Sequence, residues 1–254
     1  MKPFVLISTR PDDESAWDEY RAFVDSTRLD EKDLNWIRLE QAPLPEINLD
    51  EISGVILTGS PFNASDPESE KSDVQKRVEA ELSGLLDVLV ANDFPYFGAC
   101  YGVGTLGVHQ GGVVNRDYPE NTNSIRVTLT DEGLQDRLLL QSGLDKEFDA
   151  YVGHKESVAK LPANSTLLAT GEACPVQMFK VKQNLYATQF HPELDTDSLA
   201  LRMQSVKKDG YFKPEEIDEL IEYFKLECPV EDAPRVLSAF AEVYQRSDKT
   251  VLTN

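Results

Sequence analysis

Positive charge is in short supply in this chain of 254 residues, which carries a net charge of −20. A field of that sign repels phosphate backbones and anionic bilayer surfaces, so neither nucleic acid nor membrane is an expected partner. Long apolar runs are missing too: nothing approaches the roughly 20 residues that a spanning helix needs. The opening stretch MKPFVLISTRPDDES has too short an apolar core for a secretory signal and turns acidic at once. Cysteine is scarce. There are three, widely spaced, and an odd number does not read as a disulfide framework. These absences lead to the expectation of a cytoplasmic protein in which a free thiol persists. The chain also lacks a G-x-x-x-x-G-K-[ST] loop and a pyrophosphatase-type glycine loop, internal repeats and low-complexity segments.

What is present is an alternation of apolar strands and amphipathic helices. FVLIS (4–8), WIRLE (36–40), GVILTGSP (54–61) and FPYFGA (94–99) read as strands. A helix starting at PDDES carries Ala16, Tyr20, Phe23, Val24 and Thr27 at helical spacing. A long helix from Glu70 carries Val74, Val78, Leu82, Leu85, Leu86 and Leu89 on one face. Strands that are apolar throughout, alternating with such helices, indicate an α/β fold: three layers, a mostly parallel central sheet, helices on both faces. After Gly112 the candidates SIRVTLT, FDAYVGHKESVAKL, STLLATG, VQMFKV and LYATQF crowd together, which suggests a more antiparallel region. Three helices end the chain: SLALRMQSVKKDG, PEEIDELIEYFKLE and APRVLSAFAEVYQR. The expected organisation is one domain over 1–197 with a helical extension over 198–254 packed on it.

The stretch PYFGACYGVGTLGVHQGG (95–112) places Cys100 between Gly98 and Gly102, directly after a strand and before a helix. In open α/β sheets reactive groups gather at the carboxyl ends of strands. Small neighbours allow a sharp strand-to-helix turn that lifts one side chain into the open, the logic of the G-x-S-x-G elbow with sulfur in place of oxygen. The N-terminal end of a helix favours an anion, which suits a thiolate nucleophile. Such a nucleophile needs a base and an orienting group. Of the three histidines, His109 lies along the same helix and points away from the elbow. His191 stands at a strand end in QFHPE, with Glu193 two residues on and able to fix its tautomer. Cys174 and Cys228 read as packing residues.

Together GACYG (98–102) and QFHPE (189–193) resemble the class I, triad-type glutamine amidotransferases, the group that includes the glutaminase part of GMP synthase. LTGSP (57–61) resembles the family's glycine loop, GGVV (111–114) the glycine pair closing the elbow helix, and VGHKESVAKLP (152–162) the H-x-x-x-V-x-x-L-P segment. The resemblance covers roughly residues 1–200. It implies a flavodoxin-like fold and acyl transfer from glutamine or another γ-glutamyl compound. Cys100 is then the nucleophile, His191 the acid and base, and Glu193 its orienting group. Backbone N–H groups of Tyr101 and Gly59 form the oxyanion hole, and Ser60, Gly104 and His154 join Gly59 and Tyr101 around the substrate. No metal or organic cofactor is implied. In the family the ammonia passes to a synthetase, which here would be a separate protein. The competing readings are a free-standing γ-glutamyl amide or peptide hydrolase and a non-catalytic binding relative. One departure stands out. The family pattern C-x-G-x-Q has glutamine where this chain has Gly104. The missing side chain predicts a roomier pocket that holds free glutamine loosely.

Overall fold

Apolar strands that bury both faces need helices above and below them, and the strands over residues 4–8, 55–57 and 96–99 are buried throughout. In the computed structural model, which describes residues 1–205 and 214–247, the strand β1 (Phe4–Ser8) is buried throughout. Phe4 and Leu6 point into one apolar cluster, Val5 and Ile7 into another. Helix α1 (Asp13–Thr27) starts where the Asp12 carboxylate accepts the Ser15 N–H at 2.7 Å and ends at Arg28 in the left-handed region, φ 57°. Strands β2 (Leu34–Arg38) and β3 (Val55–Leu57) pair in parallel on either side of β1.

Helix α2 (Asp73–Ala91) is capped by the Ser72 hydroxyl and buries Val78, Leu82, Leu85, Leu86 and Leu89. Val74, expected on that face, lies in the first turn and is exposed. Strand β4 (Tyr96–Ala99) runs parallel to β3, and helix α3 (Tyr101–His109) follows at once. Next come β5 (Val113–Asn115), β6 (Glu120–Leu129), α4 (Arg137–Ser142), β7 (Glu147–His154), β8 (Ser157–Lys160), β9 (Ser165–Thr170), β10 (Met178–Val181) and β11 (Leu185–Thr188).

Among the described residues the main sheet has nine strands in the order β2-β1-β3-β4-β11-β10-β9-β6-β7. The first five are mutually parallel and the rest antiparallel, so the change of character falls between β11 and β10. FDAYVGHKESVAKL, expected as one strand candidate, divides: β7 stays at the edge of the main sheet, whereas β8 pairs with β5 in a separate ribbon.

Helices α2 and α3 cover one face of the parallel part. The other face holds α1 and α4, together with α5 (Thr196–Ser205), α6 (Pro214–Glu227) and α7 (Arg235–Tyr244). Leu199, Met203, Ile217, Val236 and Phe240 share a cluster with Phe4, Leu6 and Phe23, so the C-terminal helices complete the core of that face. Residues 206–210, the tail of the expected helix SLALRMQSVKKDG, lie outside the described residues. Exposed Trp17, buried Tyr20 and half-buried Trp36 form an aromatic stack, with Tyr20 and Trp36 centroids 4.7 Å apart. No helix among the described residues is long and apolar enough to cross a membrane.

Candidate active site

The chain leaves β4 with Cys100 N–H donating to the Thr188 carbonyl of neighbouring β11 at 2.8 Å. It then turns sharply: Cys100 has φ 50° and ψ −89°, and Val103 N–H already returns to its carbonyl at 3.0 Å. A non-glycine residue held there stores about 1–3 kcal/mol of backbone strain. The two glycines make the turn possible by proximity. A Cβ on Gly98 would lie 2.8 Å from Gly102 Cα and 2.8 Å from the Tyr96 hydroxyl oxygen, and one on Gly102 would lie 3.3 Å from that same oxygen. The buried Tyr96 ring thus fills the notch beneath the elbow.

His191 arrives from the end of β11, where its N–H donates to the Tyr151 carbonyl at 2.9 Å. Its Nδ1–H donates to Glu193 Oε1 at 2.8 Å, and its Cε1 edge and the Cys100 side chain both border Gly59. Histidine and glutamate are both buried. Burial opposes the imidazolium. The Glu193 carboxylate and Cys100 outweigh it and lift His191 from 6.5 to about 9. Burial likewise works against the Glu193 anion, but His191 and then Arg202 hold its carboxyl below the ordinary range.

Gly59 borders the same space. A Cβ there would sit 3.4 Å from His191 Cε1 and 3.8 Å from Cys100 Cβ, in ordinary contact with both. The N–H groups of Gly59 and Tyr101 donate to no acceptor among the described residues. Ser60 is turned into its own loop, where its Oγ accepts from the Thr9 hydroxyl at 2.7 Å and from Phe62 N–H at 3.0 Å. The Tyr101 ring is buried against Phe62, and burial pushes its phenol strongly up.

Two expected pocket residues look different in place. His154 is buried with both nitrogens engaged: Nε2 bonds Glu120 Oε2 at 2.8 Å and Nδ1 the Glu156 carbonyl at 3.0 Å. Gln177 donates to the same Glu120 oxygen at 2.7 Å. This is a strut between strands, with neither ring nitrogen left for a ligand. Ligand atoms of Glu120, His154 and Cys174 fall within 4.8 Å of one another, a spacing a metal ion could use. The carboxylate there already bonds the ring and the amide, and burial pushes the Cys174 thiol up to about 11.

The roomier pocket expected at Gly104 is not found. A Cβ on Gly104 would lie 2.9 Å from Glu156 Oε1. That carboxylate reaches in from the corner between β7 and β8 and accepts Ala64 N–H at 2.8 Å and Ser65 N–H at 2.7 Å. Glutamate replaces the absent side chain and pins the loop that follows Gly59. His109, as expected, faces away and bonds Asp87 on α2.

Three charged residues beside Cys100, His191 and Glu193 were not marked by any motif: Arg10, Glu19 and Arg202. A usable signal existed only for Glu19, which falls in the apolar stripe of α1 between Ala16 and Phe23.

Residues 27–203 match the family model for glutamine amidotransferase class-I. The chain is 32% identical over 152 residues to a glutamine-hydrolysing GMP synthase of Borreliella burgdorferi, covering 60% of this chain and 26% of that protein. It spans about a quarter of that relative's length. It is 30% identical over 154 residues to one subunit of the glutamine-hydrolysing GMP synthase of Methanococcus aeolicus, covering 60% of this chain and 71% of that protein. Among solved structures, a glutamine amidotransferase of Thermotoga maritima superposes with a TM-score of 0.74 at 18% identity, covering 96% of this chain and 98% of the other. One from Methylobacillus flagellatus gives 0.66 at 16%, covering 98% of each. With the family model spanning most of its length and the fold matching end to end, the chain belongs to the class I glutamine amidotransferases.

Proposed function

We propose that this protein is a glutamine amidotransferase-type hydrolase that releases ammonia from glutamine through Cys100, His191 and Glu193. The observation that carries this is a single buried imidazole bonded to a carboxylate and standing beside the elbow cysteine at Gly59. The Cys100 thiolate attacks the side-chain amide carbon. The unengaged N–H groups of Tyr101 and Gly59 receive the oxyanion, an interaction whose loss typically costs about 10²–10³ in turnover. His191 gives its proton to the departing nitrogen, which leaves as ammonia, and a γ-glutamyl thioester remains. Water, deprotonated by His191, attacks the thioester; glutamate departs and the thiol is restored. Glu193 keeps the ring oriented throughout. The ammonia is passed to a separate synthetase protein. This reading is supported by relatives that are named as single subunits of a GMP synthase and are matched over most of their length.

A second reading, hydrolysis of another γ-glutamyl amide or peptide by the same groups, rests on the departure at Gly104 and Glu156. They put a carboxylate where the family pattern has an amide. Both readings meet one experiment: ammonia or amine release from a panel of γ-glutamyl compounds, glutamine included, by wild type and Cys100→Ala. Turnover that disappears in the variant supports the triad, and the ranking of substrates decides between the readings. A Cys100→Ala protein as active as wild type refutes both.

A further inference from the structure

Helix α5 lies beyond both motifs, yet it reaches the centre of the site. Arg202 Nη1 donates to Glu193 Oε1 at 3.3 Å, the same oxygen that accepts from His191 Nδ1 at 2.8 Å. The other oxygen, Oε2, is buried and has no hydrogen-bond partner among the described residues. A carboxylate held by one bond to one oxygen can rotate and exchange its oxygens. A second donor on that oxygen, delivered by α5, restrains that rotation.

A second guanidinium backs the first. Arg10, in the loop after β1, donates from Nε to Glu19 Oε1 at 2.7 Å, and Glu19 Oε2 accepts from the Thr58 hydroxyl at 2.7 Å. Arg10 Nη2 lies 3.6 Å from where a Cβ would stand on Gly59, on the side that also meets His191 Cε1. Glu19 and Glu193 are buried, and both arginines are mostly withdrawn from solvent. Burial lowers the Arg202 basicity and repulsion from Arg10 adds to that, while Glu19, Glu193 and Cys100 act in the opposite direction. Charges brought this close together out of water are costly unless their geometry is used.

We propose that Arg202 is a positioning residue for the reaction: it locks the Glu193 carboxylate against His191 and, with Arg10, walls the Cys100–His191 pair with positive charge. This rests on the triad reading above. It also gives the C-terminal helices a part in catalysis, because α5 delivers the arginine. Misplacing a catalytic group by an ångström from a distance can cost about 10²-fold.

The test compares wild type, Arg202→Met and Arg202→Lys in the full chain. It measures kcat and KM on the γ-glutamyl compound that wild type turns over fastest, and the rate at which iodoacetamide alkylates Cys100. The expected result for Arg202→Met is a kcat lower by about 10- to 100-fold with KM within about twofold, and slower alkylation. Lysine, which restores a cation and one donor, recovers most of both. A merely structural arginine would move neither the kcat-to-KM split nor the lysine recovery. Wild-type values of kcat and alkylation in Arg202→Met, or a lysine variant as impaired as methionine, overturns the proposal. If wild type turns over no γ-glutamyl compound, the proposed function fails and alkylation alone judges Arg202. If Arg202→Met does not fold, Arg202→Gln takes its place: lysine is expected to exceed glutamine, and equal rates refute the role.

Discussion

Glu156 Oε1 stands 2.9 Å from the point where Gly104 would carry a Cβ, and both oxygens of that carboxylate hold backbone N–H groups of the loop after Gly59. Glycine at position 104 is therefore a partner of glutamate at 156, and a side chain there must evict the carboxylate. Gly104→Gln is expected to destabilise the fold by about 1–3 kcal/mol, the cost of leaving buried polar groups unpaired, and not to lower KM for glutamine. In a Glu156→Ala background the same substitution should cost markedly less. Denaturant unfolding of the four proteins in a double-mutant cycle measures the coupling, and strict additivity would count against a matched pair.

The elbow separates the needs of the backbone from the needs of chemistry. A methyl group on Gly98 would meet the Gly102 backbone at 2.8 Å, with no flexible atom able to yield. Gly98→Ala should lower the melting temperature sharply or prevent folding. Cys100→Ala, which changes nothing beneath the turn, should melt within a few degrees of wild type while losing turnover. Circular dichroism melts of the two variants check this, and a Gly98→Ala protein as stable as wild type would mean that the turn is looser than described.

The three thiols differ in setting. Cys100 faces an imidazole that stays cationic to about pH 9, whereas burial pushes the Cys174 thiol up to about 11. Cys228 is partly buried against the α-helical core. Iodoacetamide at pH 7.5 should therefore label Cys100 first, as read by peptide mass spectrometry. Equal labelling of all three would remove the case for an activated sulfur.

The raised value of His191 also sets a stability window. A group whose value rises on folding contributes fully below its unfolded value, here 6.5, and loses that contribution as pH climbs through about 9. Glu193 is shifted the other way, so its contribution fades only on the acid side, as pH falls below its ordinary 4.5. The melting-temperature gap between wild type and His191→Gln should be widest near pH 6 and shrink toward pH 9.5. A gap that stays flat over that range would mean that His191 does not keep its proton on folding.

The parts of this architecture legible in the sequence are local. Cys100 between glycines and His191 before Pro192 announce themselves because an elbow and a strand end are each made by a handful of adjacent residues. The buried strands β1, β3 and β4 were plain for the same reason. What escaped is made by distant partners. Glu156 reads as one more charge in a strand candidate until β7 and β8 are seen to part at that corner. Arg202 looks like an ordinary surface arginine on an amphipathic helix, since nothing near it in the chain names Glu193 as its acceptor. Glu19 alone left a trace, a carboxylate set in an apolar stripe whose partner, Thr58, is 39 residues away. Val74 misled for the opposite reason: helical periodicity counts it with the buried face, but the first turn has not yet reached the sheet.

The aromatic stack beside α1 has an optical consequence. The chain has two tryptophans, Trp17 and Trp36, and their rings lie 5.7 Å apart with Tyr20 against both. The Trp36 indole N–H also donates to Ser8 at the end of β1, two residues before Arg10. All of the protein's tryptophan emission thus comes from one spot at the parallel edge of the sheet, next to the charged wall of the site. The antiparallel strands β6, β7, β9 and β10 contribute no tryptophan to that signal. Fluorescence quenching will report on the β1–α1 junction alone, so loss of emission ahead of far-ultraviolet dichroism would show that edge opening before the rest.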